Sequence, residues 1–538
     1  MVRPRTSTPL GTIPFLRLLL LGSFSIGSAI GQHSTPTDSA HHPTQISTPP
    51  QPTEQVLQGE VFGKLVSGQY QVIGSIAVPS GKSLVIEAGA TLRFGRGGSL
   101  TCRGNLLVRG MAEAPVRFLA TVDSPRPGSW TGLVLSDMTH DQIIEHAEIA
   151  HAVVGIQSTG GQGCTFRYLS IHDCKDYGIA FYGDSTRSLV TQHALLDSEV
   201  SRCGKHGILV RALGSGCVSQ FVKPEIRNCR VHDNSGSGIH VISEISRISI
   251  CGFSTTAECS PSIDSNEVTS NGSNGISVQG DGDASSLLSF SSIAPSIVNN
   301  VVQHNSENGV WLGYNEFTRV AATIVNNTIL KNQGMGIEHA AFDRSFLVAN
   351  NILSRNRRGI GVSGTSGPFD PKVAVVANNL FHANSFGDWH QYADRFGRAD
   401  RVDARGYPVD AAANRVQDPQ LVSETDFRIG PTSPARDAGT ITNAPTLDIW
   451  GRRRLGSPDL GCFEFRLAPR LSMSRIPDNH SALVSVQAEP GTTGWLESSQ
   501  DIVRWKSVRR ITNHTATTQW EVPEIGSSGN ATYRVNLE

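Results

Sequence analysis

From about Val56 onward, apolar residues come in short runs of three to five, punctuated by Gly, Pro, Asn and Asp, with no helical spacing between them. QVIGSIAVPSGKSLVIEAGATLRFGRGGSLTCRGNLLVRG (Gln71 to Gly110) sets the pattern, and GSWTGLVL (Gly128 to Leu135) and IIEHAEIAHAVVGIQ (Ile143 to Gln157) continue it. Short strands without intervening helices exclude βαβ units. Further on, the pattern condenses into a motif, N-x-V/I-x-x-N-x(2,3)-G-I/V-x-V. Its clearest copies begin at Asn266, Asn300, Asn327 and Asn351; degenerate copies begin at Ser198, Cys229 and Asn379. The glycines Gly178, Gly207, Gly238, Gly275, Gly309, Gly336, Gly359 and Gly387 lie 23 to 37 residues apart. That period belongs to a stacked repeat rather than a single globular core.

The motif predicts a right-handed parallel β-helix with three short strands per rung, each hydrogen-bonded to its counterpart about 4.8 Å away on the next rung. Val268, Val302, Ile329 and Leu353 should point inward from one strand, and Ile276, Val310, Ile337 and Ile360 from the next. The repeat glycine is expected to supply a positive φ at the corner. Asn271, Asn305, Asn332, Asn356 and Asn384 share one turn. There they should tolerate the left-handed conformation and hydrogen-bond from rung to rung as a ladder. The predicted all-β organisation is a β-helix over 56–417, a closing segment over 418–466, and a small β-sandwich-like accessory domain over 467–538. The last rests on the alternating runs ALVSVQAE, GWLESSQDIVRW, TTQWEVP and ATYRVNLE.

Composition narrows the partners. Charged residues are 17% and the net charge is −1, so no nucleic-acid partner is expected. Residues 1–31 read as a secretory signal: Arg3, Arg5 and Arg17 precede the apolar run Leu18 to Ile26, with cleavage after Ala29 or Gly31. The run is short for a bilayer span, and no membrane span is expected after cleavage. The expected location is secreted, at the cell surface or periplasmic. Residues 32–55, rich in Pro, Ser, Thr and His, read as a disordered linker. Nine cysteines in an exported chain permit disulfides, with one left over. Cys251 and Cys259 are spaced to close a small loop. Cys174, Cys203 and Cys229 fall near equivalent turns of successive rungs, where a stack of buried free thiols is the alternative. No CxxC pair suggests zinc. Nothing specifies an oligomeric state.

VPSGKSLVIEAGATLRF, followed by GSWTGLVL and the N-x-x-x-x-N…GI rungs, resembles the right-handed β-helix repeat proteins of the pectate-lyase-like superfamily. It is similar to their large exported members in environmental bacteria such as planctomycetes. The resemblance covers about residues 58–465 and implies the pectin lyase fold. DPQLVSETDFRIGPTSPARDAG with LDIWGRRRLGSPDLGCFEF resembles the closing element of many such proteins. Asp418, Asp426, Asp437, Asp448 and Asp459 there raise calcium as a cofactor. They lack the D-x-D-x-D-G spacing of a loop site and read as turn-capping carboxylates. The chain lacks the N-T-D, D-D and R-I-K elements of polygalacturonases and the W-I-D-H of pectate lyases, so no catalytic residue is carried over.

A β-helix face repeats equivalent outward positions at every rung, which suits an extended extracellular polysaccharide. The residue two beyond each repeat glycine should face outward: Ala180, Leu209, His240, Ser277, Trp311, Glu338, Gly361 and, with imperfect register, Trp389. His240, Trp311 and Trp389 are the candidate substrate-binding residues and Glu338 the candidate catalytic acid. The alternative is a solvated face with an incidental tryptophan. A glycosidase needs a second carboxylate, for which Asp343 and Asp388 are nearest in sequence. A lyase needs a cation against the uronate carboxylate: Arg355, Arg357 and Arg358 form one basic cluster, and Lys205–His206 and His172 to Asp176 are other polar turns. The loop Asp388 to Val416 is long and charged, either a lid or a plain insertion. The leading expectation is an exported protein that binds a polysaccharide and can cleave it, as a lyase or glycosidase. Its rivals are a non-catalytic surface or adhesion solenoid and, with thin support from scattered His and scarce Met, a resemblance to β-helix proteins that assist metal loading.

Overall fold

The structure, a computed structural model, describes residues 55–537 except 123, 137–141, 216–217, 246–254, 283–288, 342–344, 365–367, 467–469, 476–480, 488–492, 500–503, 513–516 and 524–531. The expected signal and nearly all of the expected linker lie outside the described residues, as do Cys251 and Asp343. Strand segments join into one 39-stranded parallel sheet wound as a coil, and no helix occurs among the described residues. None is therefore long and apolar enough to cross a membrane.

One turn shows the unit. Ser262–Asp264, Glu267–Thr269, Ile276–Asp281 and Phe290–Ile293 pair in parallel with Ser296–Val298, Val301–Gln303, Val310–Tyr314 and Thr318–Val320 of the next turn. These rungs hold four strands rather than three, because the longer repeats leave room for an extra segment after the glycine-bearing strand. From Thr323 the repeats shorten and each rung has three. Register stacks like on like. Ile156, Ile179, Ile208, Ile239, Ile276, Val310, Ile337 and Ile360 make one fully buried inner column. Val231, Val268, Val302, Ile329 and Leu353 make a second. Each such side chain withdrawn from water contributes about 1.5–3 kcal/mol.

The asparagine ladder exists, and it is doubled. Asn234, Asn271, Asn305, Asn332, Asn356 and Asn384 are linked from Nδ2 to Oδ1 at 2.9–3.3 Å. A second ladder runs through Asn266, Asn300, Asn327, Asn351, Asn379 and Asn414. Each Oδ1 also accepts a backbone N–H of the preceding rung. Two local expectations need correction. The left-handed residue is not the ladder asparagine but the one before it: Ser270, His304, Lys331, Arg355 and Ala383 carry φ of 49–57°. Among the repeat glycines only Gly387 has positive φ. The others are needed for close approach: a Cβ on Gly275 would lie 2.4 Å from Val302 Cγ1 and 2.7 Å from Asn305 Nδ2.

The cysteines are corrected too. Cys259 is a buried thiol that donates to Ile242 O at 3.0 Å, and the loop expected with Cys251 lies outside the described residues. Cys174, Cys203 and Cys229 are buried free thiols, but they occupy two columns. Cys203 and Cys174 precede Asn234 in one ladder; Cys229 precedes Asn266 in the other.

The loop Asp388 to Val416 turns back over the coil rather than over a cleft. Trp389 packs at a tilt on Phe381 (4.7 Å between centroids), Tyr392 meets Trp389 edge-on (5.3 Å) and Phe396 meets Tyr392 edge-on (5.0 Å), and Arg415–Val416 pairs with Leu380–Phe381 as the last rung. These rings plug the C-terminal end. Residues 418–466, expected to close the coil, instead run along its side as a strap. Their backbone carbonyls accept from Asn378, Asn350, Asn326 and Asn299 on four successive rungs. Their apolar side chains cover Val301, Leu330, Ile352 and Leu380, which point outward. Asp418, Asp426, Asp448 and Asp459 accept backbone N–H groups, as turn caps do. Arg470–Arg475, Ser481–Gln487 and Thr517–Pro523 form one antiparallel sheet; Lys506–Thr512, Thr493–Ser499 and Thr532–Leu537 form another.

Candidate functional site

The glycine-bearing strands Ile208–Gly214, Ile239–Ile245, Ile276–Asp281, Val310–Tyr314, Met335–Ala340, Arg358–Ser363 and Trp389–His390 form one face. Its outward column reads Leu209, His240, Ser277, Trp311, Glu338, Gly361, His390. Ala180 and Leu209 are buried with Ile242 against Tyr177 and Tyr182, so the open column begins at His240. From His240 to His390 it extends about 24 Å, at about 4.8 Å per rung.

Trp311 is half-buried, and the residue two along is Gly313. A Cβ there would fall 2.1 Å from Trp311 Cη2 and 2.2 Å from Cζ2. The indole therefore lies across the glycine with its other ring face turned outward. On the next rung, Glu338 Oε2 accepts from Asn308 Nδ2 at 2.7 Å. Asn308 is itself fixed by donating to Asn274 Oδ1 and accepting from Met335 N. Gly361 leaves a gap in the column, entered from the side by Met335 Sδ, which would be 2.3 Å from a Cβ there. Beyond the gap stands His390, held below the usual imidazole range by burial and by Arg358, while Glu338 pulls the other way. At the opposite end His240 Nδ1 lies 3.0 Å from Ser277 Oγ, and Tyr177, His206 and His240 form a stack with centroids 5.9 and 4.5 Å apart. Burial, then His206 and Arg211, push His240 down to about 3, so its ring is neutral.

Trp389 does not join the column. It pairs with Ile360, an inward position, and packs in the end plug. A one-residue slip exchanges the two faces of a strand, so His390 takes the place the imperfect register gave to Trp389. Asp388 accepts from Asn384 Nδ2 at 2.7 Å, at the end of the ladder, and burial raises its pKa. Arg357 and Arg358 lie over the exposed Phe386 ring, 5.3 and 5.9 Å from its centroid, while Arg355 is paired with Glu424.

A second polar cluster lies on the neighbouring face. His172 sits between Asp173 Oδ2 (2.7 Å) and Glu148 Oε1 (3.5 Å), and His232 between Asp233 Oδ2 (2.7 Å) and Glu199 Oε1 (2.9 Å). Arg202, on the rung between, pairs with Asp173. Glu148 and then Asp173 raise the His172 pKa against burial; at His232 burial is outweighed by Glu199 and Asp233, and the pKa again rises. The sequence carried a signal for this pair in the repeated His-Asp dipeptide, two rungs apart. No group of three or more His, Cys, Asp or Glu among the described residues is arranged to hold a metal ion.

Residues 127–250, 154–340 and 251–394 match, in overlapping stretches, the family described as right handed beta helix region. No curated protein matches the chain. Similar solved structures include a pectate lyase (TM-score 0.45, 16% identity, 72% of this chain and 88% of that one). A mutant of a periplasmic alginate epimerase is similar at TM-score 0.39 and 13% identity, over 61% of this chain and 75% of that one. A tailspike protein of an E. coli bacteriophage, in complex with a hexasaccharide, is similar at TM-score 0.24 and 9% identity, over 86% of each. These likenesses are of fold alone. With its repeat, its parallel ladders and the match over residues 127–394, the chain belongs to the right-handed parallel β-helix repeat proteins.

Proposed function

We propose that the outward column from His240 to His390 binds an extended polysaccharide, and that Glu338 and His390 act on it as a proton-transferring pair. The observation that carries this reading is the Trp311 indole laid across Gly313 in the middle of a straight polar strip. Sugar rings stack on such a face, and identical rung spacing keeps a long chain in step with the residues beneath it. Glu338, one rung on, is oriented by Asn308. His390 stands two rungs beyond Glu338, with Gly361 between them. A carboxyl group and a neutral imidazole two rungs apart on one face are suited to giving and taking a proton. Arg357, Arg358 and Phe386 border this end and would contact the chain as it leaves the strip. Asp388, whose Oδ1 accepts from Asn384 Nδ2, is the described carboxylate nearest in sequence that could act as a second acid with Glu338. Export, expected from residues 1–31, would bring the strip to extracellular polymers.

Affinity electrophoresis against neutral and acidic polysaccharides, with reducing-end and unsaturated-uronate assays on the same samples, tests both halves. Trp311→Ala should weaken binding about tenfold, the equivalent of one lost ring contact. Glu338→Gln should keep binding and lose turnover. Retention of the bound polymer by Trp311→Ala at wild-type strength would remove the strip. Binding without turnover in the wild type would leave the non-catalytic surface reading.

A further inference from the structure

The first asparagine ladder changes its chemistry at its N-terminal end. Asn384 back to Asn234 link rung to rung through side-chain hydrogen bonds, but the two positions before Asn234 hold Cys203 and Cys174. The register Ser170↔Glu199, Ile171↔Val200, His172↔Ser201 continues into the turn, where Gly204 N donates to Cys174 O at 2.9 Å. The two cysteines are therefore counterparts on adjacent rungs. Their surroundings match as well: a Cβ on Gly155 would lie 3.3 Å from Cys174 Sγ, and one on the equivalent Gly178 3.3 Å from Cys203 Sγ. The sulfurs thus sit one above the other, about one rung spacing apart. Neighbouring rungs put the Cα atoms about 4.8 Å from each other, inside the range of about 4.4–6.8 Å that a disulfide spans. Closing the bond takes rotation of one side chain about Cα–Cβ toward its neighbour.

Cys229, Cys259 and Cys102 have no cysteine at the matching position of the neighbouring rungs. Cys229 has Ser198 and Asn266 as counterparts, Cys259 has Val222 and Ile293, and Cys102 has Val78 and Leu135.

We propose that Cys174 and Cys203 form an inter-rung disulfide, the covalent counterpart of the asparagine link, when the chain folds in an oxidising compartment. The oxidant is a small-molecule disulfide such as oxidised glutathione. One cysteine thiolate attacks it, giving a mixed disulfide and one glutathione thiol; the second cysteine then displaces the remaining glutathione. Two protein thiols give up two electrons and two protons, and one small disulfide becomes two thiols. Both sulfurs are wholly buried in the finished coil, so exchange precedes closure of these rungs. This site is independent of the carbohydrate strip.

The test is refolding of the full chain with oxidised or reduced glutathione, followed by denaturation, alkylation and mass spectrometry. The oxidised sample should keep two of its nine cysteines from alkylation. It should yield a linked peptide pair carrying Cys174 and Cys203, and melt several degrees above the reduced sample. Cys174→Ser and Cys203→Ser should each abolish the linked pair, and Cys229→Ser should retain it. If either serine variant fails to fold, the oxidised and reduced wild-type samples still decide the matter. Nine alkylated thiols after oxidative refolding, or a linked pair joining other cysteines, would overturn the proposal.

Discussion

Ala383 is exposed and sits at φ 49°, where a Cβ crowds the following carbonyl. A left-handed L-residue costs roughly 1–2 kcal/mol, and glycine pays about 0.5–1 kcal/mol in chain entropy instead. Ala383→Gly is therefore expected to stabilise the protein by about 0.5–1 kcal/mol. Gly309→Ala should do the opposite, by about 2–3 kcal/mol, since its Cβ would lie 2.4 Å from Ile329 Cγ2 and 2.6 Å from Gly336 O. Denaturant melts of both variants check the pair, and a shared sign for the two would contradict the account. The contrast also marks the limit of what the sequence disclosed. Asparagine and glycine both signalled a turn, but which residue bears the left-handed backbone depends on how the next rung lies against this one. The motif spacing carries no such information.

A rung is stabilised by its neighbours, and the His172 and His232 clusters show that at the level of the strand. Both imidazoles have raised pKa values, so their contribution is fully present below the unfolded-state value near 6.5 and is lost as pH rises through the folded value. Glu148 and Glu199, lowered chiefly by their histidines, contribute above the ordinary glutamate range and lose that contribution as pH falls. The strands Gln162–His172, Glu199–Ser201 and Arg230–His232 should thus be tightest in mildly acidic solution. Hydrogen exchange of their amides, relative to the strand Val310–Tyr314, is expected to quicken between pH 6 and pH 8.5, and less so in a His172→Gln, His232→Gln double variant. Equal acceleration in both proteins would remove the histidines from the explanation. At this scale the inward columns were legible, because apolar side chains at a fixed place in each repeat must stack. The slip at Trp389 was not, because a strand of two residues carries too little pattern to fix its face.

On the scale of the whole molecule, the coil, its plug and its strap have separate tasks. The plug could be seen in sequence only as a long charged loop, and the strap only as a closing segment. Their placement rests on contacts more than fifty residues apart, such as Asn350 with Thr440. Leu460→Asp would put an unpaired carboxylate among Ile352, Leu380, Ile429 and Ala435. Peptides from 418–466 should then exchange and be cleaved by protease faster, while the inner columns between residues 156 and 341 stay protected. Loss of protection throughout the coil would show that the strap is needed for the fold itself. One consequence reaches further. Because Asn299, Asn326, Asn350 and Asn378, one on each of four successive rungs, all hold the strap, it works as a gauge. Upstream of Asn299 a whole repeat can be duplicated or lost with every column still in line. Within the gripped stretch the same change would leave one fastening without its mate, so that part of the molecule has a fixed length while the remainder is free to grow.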